Sequence, residues 1–361
     1  MDEKLFDEII KQYHEEIINY ELFCQNIEYI IKRLPQIEKI KNFSLTWRAK
    51  TIDSLKDKLT EKGHKYKNLS DITDLAGIRI ITSYSDQVDI VAKIIEQEFE
   101  IDKVNTIDKR KMMEPDQFGY LSLHYIIKLN NERKNLREYE RFKELRAEIQ
   151  IRTILQHAWA DIEHDLGYKT KDTIPRNLQR DFNRLSGLLE LADKEFLSIR
   201  NSLSVYKDYV SSNINEFNEE ILIDKISLSE YIHSNQQLLK LNRQIADICD
   251  SKLSISKNIE RYIKYLQLIE IKTIKELNNA LLEEKDLAYF IAKNLLNIHK
   301  HSTLPTAIGL FYVFYARTAR FMDVNIIDEI LNKTKIVFEG ESSLDFANRL
   351  INLIKSFKEK Y

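Results

Sequence analysis

Glycine is the feature that most constrains this chain. It has only seven glycines in 361 residues, and five of them (Gly63, Gly77, Gly119, Gly167 and Gly187) fall between positions 63 and 187. Glycine marks the places where backbone turns sharply or another group must come close, so strands, tight turns and ligand loops belong in that stretch. The rest, with Gly309 and Gly340 alone downstream, is expected to be mostly helical. The fold class that follows is α+β: a mixed β-sheet flanked by helices over about residues 1–200, then an all-α region over 201–361.

Local periodicity fills in this outline. Residues 1–34 read as a helix, with Leu5, Phe6, Ile9, Ile10, Tyr13 and Ile17 at helical spacing. Positions 47–60 read as a second helix entered at Trp47. The β-branched run Ala76–Thr82 reads as a buried strand, 119–129 as an alternating strand, and 145–151 as the clearest strand of all. Ile154–Tyr168 then reads as a helix with Leu155, Ala158, Trp159, Ile162 and Leu166 on one face. From Pro175 onward the period is helical, and the aromatic run Phe311–Tyr315 belongs in the interior of a helical bundle.

Composition excludes several classes. The 55 basic and 57 acidic residues nearly cancel, so any nucleic-acid contact must come from a local patch. Cys24 and Cys249 stand far apart without metal-type spacing, which points to a reducing cytoplasm rather than a disulfide framework. The acidic N-terminus lacks the order of a signal peptide, and the longest apolar run, near Ala307–Phe314, is far short of a membrane span.

Four short segments carry chemistry. On the strand near Glu148, alternation places Glu148, Gln150 and Arg152 on one face and Ala147, Ile149 and Ile151 on the other. Asp74 lies just before the strand Ala76–Thr82, with Gly77 allowing close approach and Arg79 further on. Two carboxylates at neighbouring strands suit Mg²⁺ bound to a polyphosphate, because that ion takes one or two carboxylates plus phosphate oxygens. In the segment 47–58, Arg48 and the row Lys50, Ser54 and Lys58 can present several donors to one polyanion. In 118–124, Tyr120, Ser122 and His124 alternate onto one face after a glycine turn, and a tyrosine there suits stacking on a base. Taken one at a time, each segment is explained at least as well as a polar strand face, a turn aspartate, a solvated basic helix face (the more frequent meaning of such spacing) or an ordinary strand tyrosine.

In order, however, R-A-K…S…K (48–58), D-L-A-G-I-R (74–79), G-Y-L-S-L-H (119–124) and E-I-Q-I-R-T (148–153) resemble the RelA/SpoT synthetase domain. The segment Q-H-A-W-A-D-I-E-H-D-L-G-Y-K (156–169) resembles the version in small alarmone synthetases and their toxic relatives. The resemblance covers roughly residues 40–200. It implies a nucleotidyltransferase-like fold and a Mg²⁺-dependent transfer of the β,γ-pyrophosphate of ATP to the 3′-hydroxyl of GDP or GTP, giving (p)ppGpp. By position it implies that Arg48, Lys50, Ser54, Lys58 and Arg79 hold ATP, and that Asp74 and Glu148 bind Mg²⁺ and serve catalysis. Tyr120, His124, Gln150 and Arg152 would then meet the acceptor.

One loop departs from the pattern. Members that make (p)ppGpp usually carry a lysine and an asparagine before the glycine-tyrosine pair, whereas here Glu114 and Asp116 are acidic and Phe118 is apolar. Lys109, Arg110 and Lys111 lie just upstream and can serve a free nucleotide or an RNA backbone. The alternative acceptor implied is the 3′-terminal adenosine of tRNA, as in toxic relatives, with the C-terminal region as a fused inhibitor. Otherwise that region is an oligomerisation, sensing or partner-binding module. Only 47 residues precede Arg48, so an N-terminal hydrolase domain is not expected. His157, Asp161 and His164 share a helix face and are read as hydrogen-bonding groups rather than a zinc site. Trp47 and Trp159 are read as core, and His299, Lys300 and His301 as a solvated helix end.

Overall fold

The computed structural model describes residues 2–108, 122–166, 175–216, 221–256, 258–296, 302–334, 336 and 340–360. Within these, the chain forms two compact units, Met1–Asn201 and Ser202–Tyr361. Tyr120, the loop Glu114–Phe118, the trio 109–111 and the triplet 299–301 lie outside the described residues.

The first unit opens with α1 (Glu3–Lys32) and a short α2 (Pro35–Glu38). Strand β1 (Ser44–Ala49) follows, then α3 (Ile52–Lys62), β2 (Ala76–Thr82), α4 (Ser85–Glu98), β3 (Phe99–Ile101) and β4 (Ile107–Asp108). After these come β5 (Leu123–Leu129), α5 (Asn131–Lys134), β6 (Ala147–Thr153), α6 (Ile154–Asp165) and the long α7 (Arg176–Asn213), whose residues from Ser202 on belong to the second unit. The strands form one mixed sheet in the order β1-β2-β6-β5-β3, with β4 also on β5. Within this sheet only the central pair β2–β6 is parallel among the described strands.

The helix expected over 47–60 divides in two. Ser44–Ala49 alternates in burial and pairs antiparallel with β2, and the helix begins only at Ile52, where the Thr51 side chain accepts a hydrogen bond from Ser54 N. Thr51 is a capping residue that satisfies an otherwise orphaned N–H, so it ends the strand and starts the helix. The alternation of β2 sends Ala76, Ile78, Ile80 and Thr82 into the core. Leu45, Ile149 and Ile151 join them under Phe23, Ile27, Val88, Val91 and Ile95 of α1 and α4. One sheet face is therefore committed to packing, and the other is left to polar residues.

In its first-unit part helix α7 buries polar side chains and leaves several apolar ones exposed. It buries Ser186 and Asp193, and Thr153 Oγ1 donates to Asp193 Oδ2 at 2.7 Å. Arg200 forks onto Asp86 at 3.1 and 2.7 Å with its guanidinium over the Tyr84 ring. Leu178, Leu185, Phe196 and Ile199 stay exposed. The apolar face expected on α6 is also largely absent: Trp159 is buried, whereas Ile154, Ile162 and Leu166 are exposed.

The second unit has its own core and is helical: α8 (Lys225–Ser234), α9 (Gln236–Ile248), α10 (Ile259–Leu268), α11 (Ile274–Leu296), α12 (Ile308–Ala319), α13 (Val324–Thr334) and α14 (Ser343–Lys360). It is not all-α. Lys252–Ser254 (β7) pairs in parallel with Thr303–Pro305 (β8), because these extended segments satisfy their backbone groups against each other. Tyr312, Val313, Phe314 and Tyr315 of α12 are buried as the aromatic run required, with Phe311 packed against them. No helix among the described residues is long and apolar enough to cross a membrane.

Candidate active site

The polar face of the sheet is built by register. Arg48 lies opposite Gly77, and Gly77 opposite Glu148. One row along, Thr46, Arg79, Gln150 and His124 are consecutive partners across β1, β2, β6 and β5. Because side chains alternate, both rows project to the side away from α1 and α4. Arg48 reaches this position from a strand, not from a helix. Its carbonyl is held from behind by the Cys24 thiol at 3.6 Å, and that of Lys50 by Tyr13 Oη at 2.6 Å.

These rows form the floor of a cleft of about 630 Å³. Arg48, Lys50, Ser54, Lys58, Asp74, Arg79, Glu148 and Gln150 all line it, so eight of the residues expected from sequence converge although they span a hundred positions. Thr46, Asp57, Glu61, Lys62 and His164 line it too. The available signal for Lys62 was its place four residues beyond Lys58, which extends the Lys50/Ser54/Lys58 row by one helical turn.

Asp74 sits in the turn before β2 and is gripped by two cations: Lys58 Nζ at 2.7 Å from Oδ1 and Lys50 Nζ at 3.2 Å from Oδ2. Burial disfavours the Lys58 ammonium, but the Asp74 carboxylate more than offsets it and raises the Lys58 pKa. The same ammonium lies 5.7 Å from the Tyr66 ring centroid, a cation–π contact that keeps its stem ordered.

Glu148 is held from both sides. His124 Nδ1 is 2.8 Å from Oε1, and Gln150 Nε2 donates to Oε2 at 2.8 Å. Burial pushes its pKa up, but the hydrogen bond and charge of His124, the bond from Gln150 and the charge of Lys58 together bring it down to about 2. It is a carboxylate at every ordinary pH. Gly77 between Arg48 and Glu148 leaves the floor flat; a Cβ there would meet only the Arg48 carbonyl, at 3.6 Å, and the Arg48 side chain, at 3.9 Å.

On α6, Asp161 stands between Arg79 (3.8 Å) and His157 (3.5 Å). Burial, with the charges of Arg79 and Arg152, lowers the His157 pKa against the pull of Asp161. Among the described residues no group of three or more His, Cys, Asp or Glu is placed to hold a metal ion by itself. Arg152, expected beside Glu148 and Gln150 on the open face, is buried. The strand ends there, and β6 runs directly into α6 while Thr153 bonds to α7, so helices cover the last residues of β6.

Known proteins resemble the part of the chain that carries the cleft. Residues 47–173 match the profile described as the region found in RelA / SpoT proteins. The chain is 32% identical over 156 residues to GTP pyrophosphokinase YwaC of Bacillus subtilis, covering 42% of this chain and 71% of that protein. It is 26% identical over 201 residues to GTP pyrophosphokinase YjbM of the same organism, covering 55% and 90% respectively. The crystal structure of small alarmone synthetase 2 from Bacillus subtilis aligns with a TM-score of 0.44 at 28% identity, over 53% of this chain and 98% of that one. The matched span contains both carboxylates and every cation of the cleft floor, and the chain belongs to the RelA/SpoT family.

Proposed function

We propose that this protein is a Mg²⁺-dependent pyrophosphokinase that transfers the β,γ-pyrophosphate of ATP to the 3′-hydroxyl of GDP or GTP. The observation that carries the reading is the convergence of the carboxylates Asp74 and Glu148 with five cations, Arg48, Lys50, Lys58, Lys62 and Arg79, around one cleft floor. Such a floor meets what attack on a polyphosphate asks of a protein, namely positioning and neutralisation of charge. The names of the relatives, GTP pyrophosphokinases, favour the guanine nucleotide.

In this reading Arg48 and Arg79 grip ATP phosphates as forks, and Lys50 and Lys58 act as point charges that exchange Asp74 for phosphate oxygens. Ser54 adds a hydroxyl at the start of α3. Family members use a divalent metal, and Asp74 and Glu148 are the acidic donors that with phosphate oxygens make a set suited to Mg²⁺. When bound, the ion would neutralise phosphate charge. In the same reading Glu148, which lines the cleft as a carboxylate, draws the proton from the attacking hydroxyl. The acceptor side falls to Tyr120, as a stacking platform, and to Gln150 of β6; His124 and Arg152, expected beside it, do not line the cleft among the described residues.

The acidic loop Glu114–Asp116 favours a second acceptor, the 3′-terminal adenosine of tRNA, because loss of positive charge weakens a clamp for a free nucleotide's 5′-phosphates. Labelled ATP offered with GDP, GTP and deacylated tRNA together decides the matter. Label in a 3′-pyrophosphorylated guanine nucleotide is the expected result. Label on tRNA transfers the reading to the second acceptor, and label on neither overturns both. The second unit is assigned a regulatory or assembly role, as an inhibitor in the tRNA reading.

A further inference from the structure

Four side chains, three on the adjacent strands β5 and β6 and Ser122 just before β5, form one hydrogen-bonded chain. Ser122 Oγ lies 2.7 Å from His124 Nε2, His124 Nδ1 lies 2.8 Å from Glu148 Oε1, and Gln150 Nε2 lies 2.8 Å from Glu148 Oε2. Both ring nitrogens of His124 are thereby engaged inside the protein. Among the described residues Glu148 and Gln150 line the cleft and His124 does not, its side chain being 15% exposed against 19% for Glu148. Ser122 is deeper still, 1% exposed.

The direction of each bond follows from the chemistry. An ionised carboxylate only accepts, so the proton between His124 and Glu148 is carried on Nδ1. A ring that must donate from Nδ1 needs a partner at Nε2 to keep it from turning, and the buried Ser122 hydroxyl is that partner. The register makes the arrangement possible: His124 pairs with Gln150, which places Glu148 one step along the neighbouring strand on the same face. Gln150 completes the grip on the second oxygen. Each oxygen of Glu148 keeps a further lone pair for the cleft.

We propose that Ser122 and His124 are positioning residues for the transfer, Ser122 fixing the His124 ring and His124 fixing the Glu148 carboxylate, so that His124 acts through Glu148 rather than by contact with the acceptor. The proposal rests on the pyrophosphokinase reading and gives one member of the expected acceptor set a different task. It predicts a split between turnover and binding. A residue that touches the acceptor shows itself in the acceptor KM, whereas one that only aims a catalytic carboxylate shows itself in kcat.

Steady-state kinetics of the full-length protein with ATP and its acceptor test this. Ser122→Ala is expected to lower kcat roughly tenfold and His124→Ala roughly a hundredfold, with both KM values within about threefold of wild type. His124→Asn, which keeps an N–H near the Nδ1 position, recovers much of the His124→Ala loss. A raised acceptor KM at preserved kcat in His124→Ala, or full activity in Ser122→Ala, overturns the proposal. If the wild-type protein transfers to no acceptor, the functional reading fails, and crystal structures of wild type and Ser122→Ala judge the positioning chain independently. A His124 ring turned away from Glu148 in the variant supports it; an unmoved ring overturns it.

Discussion

Lys58 Nζ lies 2.7 Å from Asp74 Oδ1, joining a cation on α3 to the carboxylate that precedes β2. The pair is only partly exposed, and Lys50 shares the same carboxylate at 3.2 Å. Lys58→Met is expected to lower kcat/KM for ATP by about 10²-fold or more, the scale of removing one preorganised charge from a phosphoryl-transfer site. Asp74→Asn should lose at least as much. Because the two act on one site, the double variant is expected to fall well short of the sum of the single losses, read as a double-mutant cycle in kcat/KM. Additive losses would mean that the contact is incidental.

Gly77 separates stability from binding. A Cβ at this position meets only ordinary contacts with Arg48, so the fold accepts it, and a strand gains by losing a glycine. That same Cβ stands on the cleft floor between Arg48 and Glu148. Gly77→Ala is expected to leave Tm unchanged or slightly raised while the KM for ATP rises roughly tenfold, since small displacements of bound phosphates are costly. Thermal melts beside kinetics check both halves, and a large fall in Tm would contradict the geometry.

Asp193 gives a dependence on pH that belongs to the fold and not to the chemistry. Burial raises its pKa, and the hydroxyl of Thr153 offsets this only in part. The folded pKa therefore lies above the unfolded one. The cost to stability is present while the folded group is ionised, at neutral pH, and disappears as pH falls through the folded value towards the unfolded value. Asp193→Asn, which keeps an acceptor for Thr153, should raise Tm by roughly 2 °C at pH 7. The gain should shrink as the medium is acidified through the carboxylate range. A gain independent of pH would assign it to something other than the charge.

The first unit contains the whole sheet, the whole cleft and a closed core. A chain of residues 1–201 is expected to unfold cooperatively in a thermal melt and to retain pyrophosphokinase activity, because neither the cations nor the carboxylates depend on residues beyond 201. Activity above that of the full-length protein would make the second unit inhibitory, as the tRNA reading expects. An unfolded product would show that the two units are not independent.

Much of this architecture could be read locally. The strand at Ala147–Thr153 announced itself by strict alternation, α1 by helical spacing of Ile9, Tyr13 and their neighbours, and β2 by a short β-branched run. The reading failed where a non-local partner decided the outcome. Ser44–Ala49 is a strand because β2, thirty residues later, pairs with it; the helical spacing of Lys50, Ser54 and Lys58 masked that and placed Arg48 on a helix. Arg152 shares its face with Glu148 by alternation, but it lies at the end of the strand, where β6 passes into α6, and is buried. The pair β7–β8 was illegible because its two segments lie about fifty residues apart.

What the sequence determined by itself was the chemistry available: two carboxylates, a set of cations, a Ser-x-His and a Glu-x-Gln, on or beside elements whose period could be counted. Tertiary structure decided which of them meet. The parallel pairing of β2 with β6 set Gly77 beside Glu148, the antiparallel pairing of β5 with β6 set His124 against Glu148, and α3 brought Lys58 back over Asp74. Periodicity fixes the face on which a side chain projects, because it depends on the backbone of a few residues. Register between strands depends on burying their apolar faces together, and that is a property of the whole unit.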